Sequence, residues 1–140
     1  VADVDITYHK ATEDFILRAP GGPVHRRVDQ VLSAAEAIAT ATSPVDTGFL
    51  RNNRSKTIEA GPDNLVGTLA YHAPYALAVM KGTGIYGPTG QPITPKNGQY
   101  LVFRGRDGGL VYAREVRGQR ANPFLVNALK AASPWPVREF

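Results

Sequence analysis

Six residues, Gly82-Thr83-Gly84-Ile85-Tyr86-Gly87, spell G-x-G-x-x-G, the spacing that in dinucleotide-binding folds lets a backbone turn close against a pyrophosphate. That chemistry needs a strand before the glycines and a helix after them, so that free N–H groups at the helix start meet the phosphate. Here a helical segment precedes, and Pro88, Pro92 and Pro95 follow, so no helix begins where one is needed. The match argues against nucleotide binding. General acid–base work calls for two carboxylates, or a histidine and a carboxylate, in one pocket. Asp46 and His72 are the pair a small hydrolase would use. Acids are sparse after residue 63, however: Asp107 falls in a turn, Glu115 on a hairpin strand and Glu139 in the tail. Ser133 has no elbow that would activate it as a nucleophile. His72, beside Tyr71 and Tyr75, reads better as a surface or interface side chain than as a base. His9, His25 and His72 show no ligand spacing, and a chain with no cysteine has no disulfide or thiolate metal site. No catalytic residue, cofactor or metal is expected, and the reading is of a protein that is not an enzyme.

Charge is the other chemical resource, and it is unevenly spread. Residues 1–70 hold 7 basic and 9 acidic side chains, whereas residues 71–140 hold 9 basic and 3 acidic ones. An acidic half and a basic half favour head-to-tail contact between copies or contact with nucleic acid, and scattered solvated arginines are the plainer alternative. Arg104, Arg106, Arg114, Arg117 and Arg120 gather on and around one expected hairpin. A nucleic-acid module would interleave them with stacking aromatics or set them along a recognition helix. Only Phe103 and Tyr112 stand nearby, and strand alternation sends some of these arginines to opposite faces. The planar guanidinium also pairs with carboxylates at protein interfaces, and that reading is preferred here.

The elements that position these groups follow from pattern. The 140 residues suffice for one domain that buries roughly two thirds of its unfolded surface. No apolar run approaches the ~18 residues of a membrane span, and no signal-peptide core is visible at the N-terminus. The chain opens at Val1 rather than methionine, which suggests a removed or trimmed initiator and a reducing, cytosolic birthplace. Val4, Ile6 and Tyr8 alternate as in a strand or extended arm, and a short helix over 10–18 is stopped by Pro20-Gly21-Gly22; together residues 1–21 form an N-terminal arm. Val24, Val28, Val31, Ala35 and Ile38 recur every three or four residues, predicting a helix over 22–42 whose alanine-rich run invites a sheet close to its backbone. Pro44 ends that helix, and Gly48 offers a positive φ for a helix-to-sheet corner in which Asp46 and Thr47 bond back to the backbone.

Strands follow over 56–60 and 65–71, with Ile58 and Ala60 expected across from Val66, Thr68 and Ala70. A short helical turn starts at Pro74. Residues 82–98 then hold 5 glycines and 3 prolines, a long loop (84–98) that is either functional or disordered. A second hairpin spans 100–103 and 110–116 about Asp107-Gly108-Gly109. Pro123 opens a last helix ending near residue 132, and residues 133–140 form a tail. The expected fold is α+β, with a long N-terminal helix and a C-terminal helix on an antiparallel four-stranded sheet made of the two hairpins.

Three separated pieces of this framework resemble a known family. They are Pro44-Val45-Asp46-Thr47-Gly48 followed by Leu50-Arg51, Tyr75-Ala76 leading to Val79 and Gly82-Thr83, and Pro123-Phe124-Leu125 leading to Ala128-Leu129. Their order and spacing, over about residues 24–130, resemble the small tail-completion or head–tail joining proteins of long-tailed bacteriophages, a neck or minor tail component of siphovirus type. That family shows a P-V-x-T-G-x-L-R corner, a Y-A-x-x-V-E-x-G-T segment and a P-F-L-x-x-A-L helix. Met80 stands where the family usually carries an acid, so an ion pair made there is absent, and the 84–98 segment is long. The resemblance implies a structural virion protein of the head-to-tail connector, or alternatively a tail terminator or other minor tail protein. It implies a homo-oligomeric ring, most often six-fold, between other neck and tail proteins (head-completion, tail terminator or tail tube). Genomic DNA passes through the channel without sequence-specific binding, and no membrane is involved. Made in the host bacterial cytoplasm, such a protein resides in the virion. A ring needs a heterologous surface. Ile85, Tyr86 and Pro88 of the loop, the five arginines and Trp135 of the tail are the candidate interface residues, with a basic nucleic-acid-binding module as the rival.

Overall fold

Pro23 opens the longest helix because its fixed φ suits a first turn and its missing N–H is one that no helical carbonyl would have met. In the computed structural model, which describes residues 9–45, 48–62 and 64–137, this helix (α2) runs Pro23–Thr42, after a short helix (α1) over Lys10–Leu17. The expected strand or arm at Val4, Ile6 and Tyr8 lies outside the described residues, as do Asp46 and Thr47. The stripe on α2 buries Val31, Leu32, Ala35 and Ala39, whereas Ile38 sits at its exposed margin. No residue of α1 is buried; the Arg18 side chain ties it down by hydrogen-bonding the carbonyl of Pro62 and pairing with Asp14.

After the corner, Gly48 takes φ 80° and ψ −4° and starts a single helical turn (α3), Phe49–Asn52, which turns the chain into strand β1, Arg54–Ala60. Strand β2, Leu65–Tyr71, pairs antiparallel with β1, closed by Gly61 N–H donating to the Asn64 carbonyl at 2.7 Å. Ile58 lies opposite Gly67, and Val66 opposite Glu59, so Ile58 and Val66 point to opposite faces rather than to one shared face. The side with Ile58, Gly67 and Leu69 packs on α2. Gly67 permits that approach: a Cβ there would sit 2.7 Å from Val28 Cγ1 and 2.8 Å from Leu32 Cδ1.

Helix α4 (Ala76–Lys81), a 3-10 turn (Gly84–Tyr86), strands β3 (Leu101–Arg104) and β4 (Leu110–Ala113) and helix α5 (Phe124–Ala132) complete the chain. One part of the core gathers Ala39, Leu50, Ala76, Val79, Phe124 and Ala128. A second gathers Leu32, Ala35 and Leu69, and Tyr71 touches both. Tyr71 meets Phe124 edge-on, with ring centroids 5.1 Å apart. The small residues of α2 admit α5 as well as the sheet: Ala35 packs with Leu69 of β2, Ala39 with Ala128 and Phe124 of α5, and α5 lies along α2 more extensively than either strand does.

The expected four-stranded sheet does not form. The two hairpins are separate two-stranded antiparallel sheets, β1–β2 and β3–β4. Hairpin pairing is local, whereas joining two hairpins requires a free edge brought alongside another. Here α4, the 3-10 turn and the loop intervene, and the chain after β4 pairs instead with the loop: Ile93 and Val116 exchange both backbone hydrogen bonds, at 2.8 and 2.9 Å. The 84–98 segment is therefore partly built into the structure. The broader expectation of α+β layers, helices over an antiparallel pair, agrees with the fold.

Candidate functional site

The G-x-G-x-x-G segment forms a backbone clamp. Thr83 N–H donates to the Gln119 carbonyl at 2.9 Å and Ile85 N–H to the Arg117 carbonyl at 2.8 Å. Tyr86 and Gly87 N–H bond back to Thr83 and Gly84 carbonyls, and Gln119 N–H donates to the Thr83 hydroxyl at 2.9 Å. Four amides that a phosphate would need are already engaged. The glycines serve close approach: a Cβ on Gly84 would stand well inside 3.0 Å from the Arg117 carbonyl oxygen, and one on Gly118 equally close to that of Thr83. Gly118 was not among the residues singled out from sequence; a lone glycine in a strand-like run is the signal that marks such a backbone contact.

The clamp holds the base of the β3–β4 hairpin, whose turn is fixed by Gly109 N–H donating to Asp107 Oδ1 at 3.1 Å and by Gly105 N–H donating to the Gly109 carbonyl. Large apolar side chains are exposed on both of its faces, Val102 and Tyr112 on one, Phe103 and Val111 on the other. An isolated two-stranded hairpin is marginal in water, so a hairpin with two apolar faces invites cover. Arg104, Arg106, Arg114, Arg117 and Arg120 are all exposed around it. Two of them lie over tyrosines the sequence reading did not connect to them: Arg114 over Tyr100, 5.9 Å to the ring centroid, and Arg120 over Tyr86, 5.3 Å. Ile85, Tyr86 and Pro88 are exposed at the clamp.

The corner residues do different work. Leu50 is buried, and Arg51 donates from Nε to Ser43 Oγ (3.0 Å) and from Nη2 to the Ser43 carbonyl (3.1 Å), locking the end of α2 to α3. Pro44, Val45, Gly48, Leu50, Tyr75 and Val79 line a shallow cleft of about 220 Å³, with Gln119 at its side. Phe49 and Tyr75 stand exposed at this corner with their rings tilted together at 6.4 Å. Ala76, Gly82 and Phe124 are buried, Thr83 and Leu125 half-buried, while Pro123 is exposed beside α5. Met80 packs half-buried against the core. Trp135 is exposed and held by a tight turn in which its N–H donates to Ser133 Oγ and that hydroxyl donates to its carbonyl.

Among the described residues one nucleophile–base contact exists: Ser55 Oγ and His72 Nε2 lie 2.7 Å apart across the exposed end of the β1–β2 hairpin. Among the described residues no carboxylate bonds that imidazole, and neither residue lines the cleft at the corner. Asp46, the other half of the hydrolase idea, lies outside the described residues. No group of three or more histidines or acids placed to hold a metal occurs among the described residues, and no helix among them is long and apolar enough to cross a membrane. Compared with family models, with curated proteins and with solved structures, the chain finds no match.

Proposed function

We propose that this chain is a structural subunit of a tailed-phage virion, a ring-forming head-to-tail connector or tail-completion protein that acts by protein–protein contact around the DNA channel. The observation that carries the reading is the β3–β4 hairpin: clamped at its base by backbone hydrogen bonds, yet presenting Val102, Leu110, Tyr112 and Phe103 to solvent. Burying such side chains against a partner gains about 1.5–3 kcal/mol each. Motif order supports the family: the corner at 44–51, the Tyr75–Thr83 segment and the Phe124 helix meet around one cluster, through Leu50, Ala76, Val79 and Phe124. Copies join as a ring, six-fold by the family's habit, beneath or above other neck proteins; a tail-terminator layer is the nearest variant. Electron microscopy of virions, with light scattering of the purified chain, tests this. Density for the chain at the neck supports it, and absence from purified particles refutes it.

A basic nucleic-acid module is the second reading, favoured by the exposed arginines beside Tyr86 and Tyr100. Phosphate neutralisation makes affinity fall steeply with salt. Under the assembly reading, retention on a DNA column vanishes by physiological salt, whereas tight retention there would favour the rival.

A further inference from the structure

Register decides which side chains of a hairpin share a face. In β3–β4, Val102 lies opposite Tyr112 and Arg104 opposite Leu110 on one face; one step further, alternation puts Tyr100 and Arg114 on it too. Val102, Leu110 and Tyr112 are all more than half exposed. This face is an apolar patch with a cation at each end and no carboxylate.

The β1–β2 hairpin carries a bare face of opposite character. Helix α2 covers its Ile58–Gly67 side, which leaves Thr57, Glu59, Val66 and Thr68 exposed on the other. Glu59 is the one acid on that face, beside Val66, and no cation pairs with it among the described residues. Two acids of α2, behind this hairpin, are engaged: Glu36 with Arg54 at 2.6 Å and Asp29 with Lys56 at 2.8 Å.

We propose, building on the ring reading, that the Val102–Leu110–Tyr112 face of one copy seats on the Thr57–Glu59–Val66–Thr68 face of the next. Arg104 or Arg114 then reaches Glu59. Charge complementarity selects a second copy as occupant, since the cationic face and the unpaired acid belong to the same chain. Small threonines leave space for Leu110 and Tyr112 when two sheets stack about 10 Å apart. Each copy gives one face and receives with another, so the contact is heterologous and propagates until a ring closes. With only a few side chains on each side, it falls short of the about 800 Å² per partner of a stable pair. Assembly therefore strengthens sharply when several copies close together.

The absence of native cysteine makes a clean test possible. Full-length Thr68→Cys and tagged Tyr112→Cys proteins, both altered at exposed positions, are mixed at high concentration and oxidised. The tagged–untagged disulfide dimer is expected in about tenfold excess over either like-with-like dimer. That excess is lost when Glu59→Arg is added to the first protein and returns when Arg104→Glu and Arg114→Glu are added to the second. A statistical mixture of dimers, with multimers still seen by light scattering, overturns this pairing but leaves the ring; the hairpin face then has another occupant, such as a foreign neck protein. Monomers alone at every concentration, with the chain missing from virions, overturn both.

Discussion

Gly84 and Gly90 form a matched pair. Their φ angles are 62° and 64°, so alanine at either position meets the same left-handed cost, about 1–2 kcal/mol. They differ in space. No atom of the described residues lies within 4 Å of a Cβ on Gly90, whereas a Cβ on Gly84 runs into the Arg117 carbonyl and the Gly118 Cα. Gly84→Ala must push residues 117–119 away, and three hydrogen bonds cross that gap: Thr83 to Gln119, Ile85 to Arg117, and Gln119 to the Thr83 hydroxyl. At about 1 kcal/mol each, their loss adds roughly 3 kcal/mol to the backbone cost. Gly90→Ala should lose about 1–2 kcal/mol and Gly84→Ala about 4–5 kcal/mol. In urea, with a slope of about 2 kcal/mol per molar, the midpoints separate by roughly 1.5 M. Amide exchange adds a local readout: Ile85, Ile93 and Val116 should exchange faster in Gly84→Ala only. Equal losses in the two variants would show that the clamp does not depend on close backbone approach.

Gly48→Val should lower the melting temperature, by about 2 kcal/mol or more of stability, because a β-branched residue is penalised at φ 80°. Among the described residues only Asn52 Nδ2, at 3.7 Å, comes near a Cβ there, so backbone strain is the cause, and unchanged melting would refute the corner. Deleting residues 86–97 should leave a folded monomer that assembles poorly, since none of them belongs to either part of the core. Loss of circular-dichroism helix signal instead would show that the core depends on the loop and its Ile93–Val116 bridge. Phe124→Ala should cost about 3–5 kcal/mol in denaturant unfolding, as the ring is buried against Tyr71; a loss under about 1 kcal/mol would mean that the α5 packing is loose.

Local signals were legible. The α2 stripe, both hairpins, the Asp107–Gly109 turn and the Phe124 helix all lie within a few residues of where periodicity and turn chemistry put them. Strand ends shifted where pairing decided them: Arg54 and Ser55 join β1 because Tyr71 and Ala70 continue opposite. Relations between distant segments were not legible. Nothing in the alanines of α2 distinguishes a helix neighbour from a sheet, since both are admitted by a missing side chain. Edge pairing between hairpins has no local code, and the bridge from Ile93 to Val116 competes for the same backbone groups. For the candidate site, the arginine cluster and Trp135 were visible as exposed chemistry, whereas the Gly84–Gly118 clamp arises only from tertiary approach of two distant segments. Two glycines far apart in sequence do not announce that they touch.

The clamp has an evolutionary and practical corollary. The chain leaves the core at Thr83 and rejoins it at Gln119, with Asn122 N–H bonded to the Val79 carbonyl just beyond. Everything between is a cassette whose two ends are stitched together. Doubling the length of a flexible insert changes closure entropy by only about 0.6 kcal/mol. Grip can thus be rewritten, by selection or by grafting an epitope, while α4 and α5 keep their places.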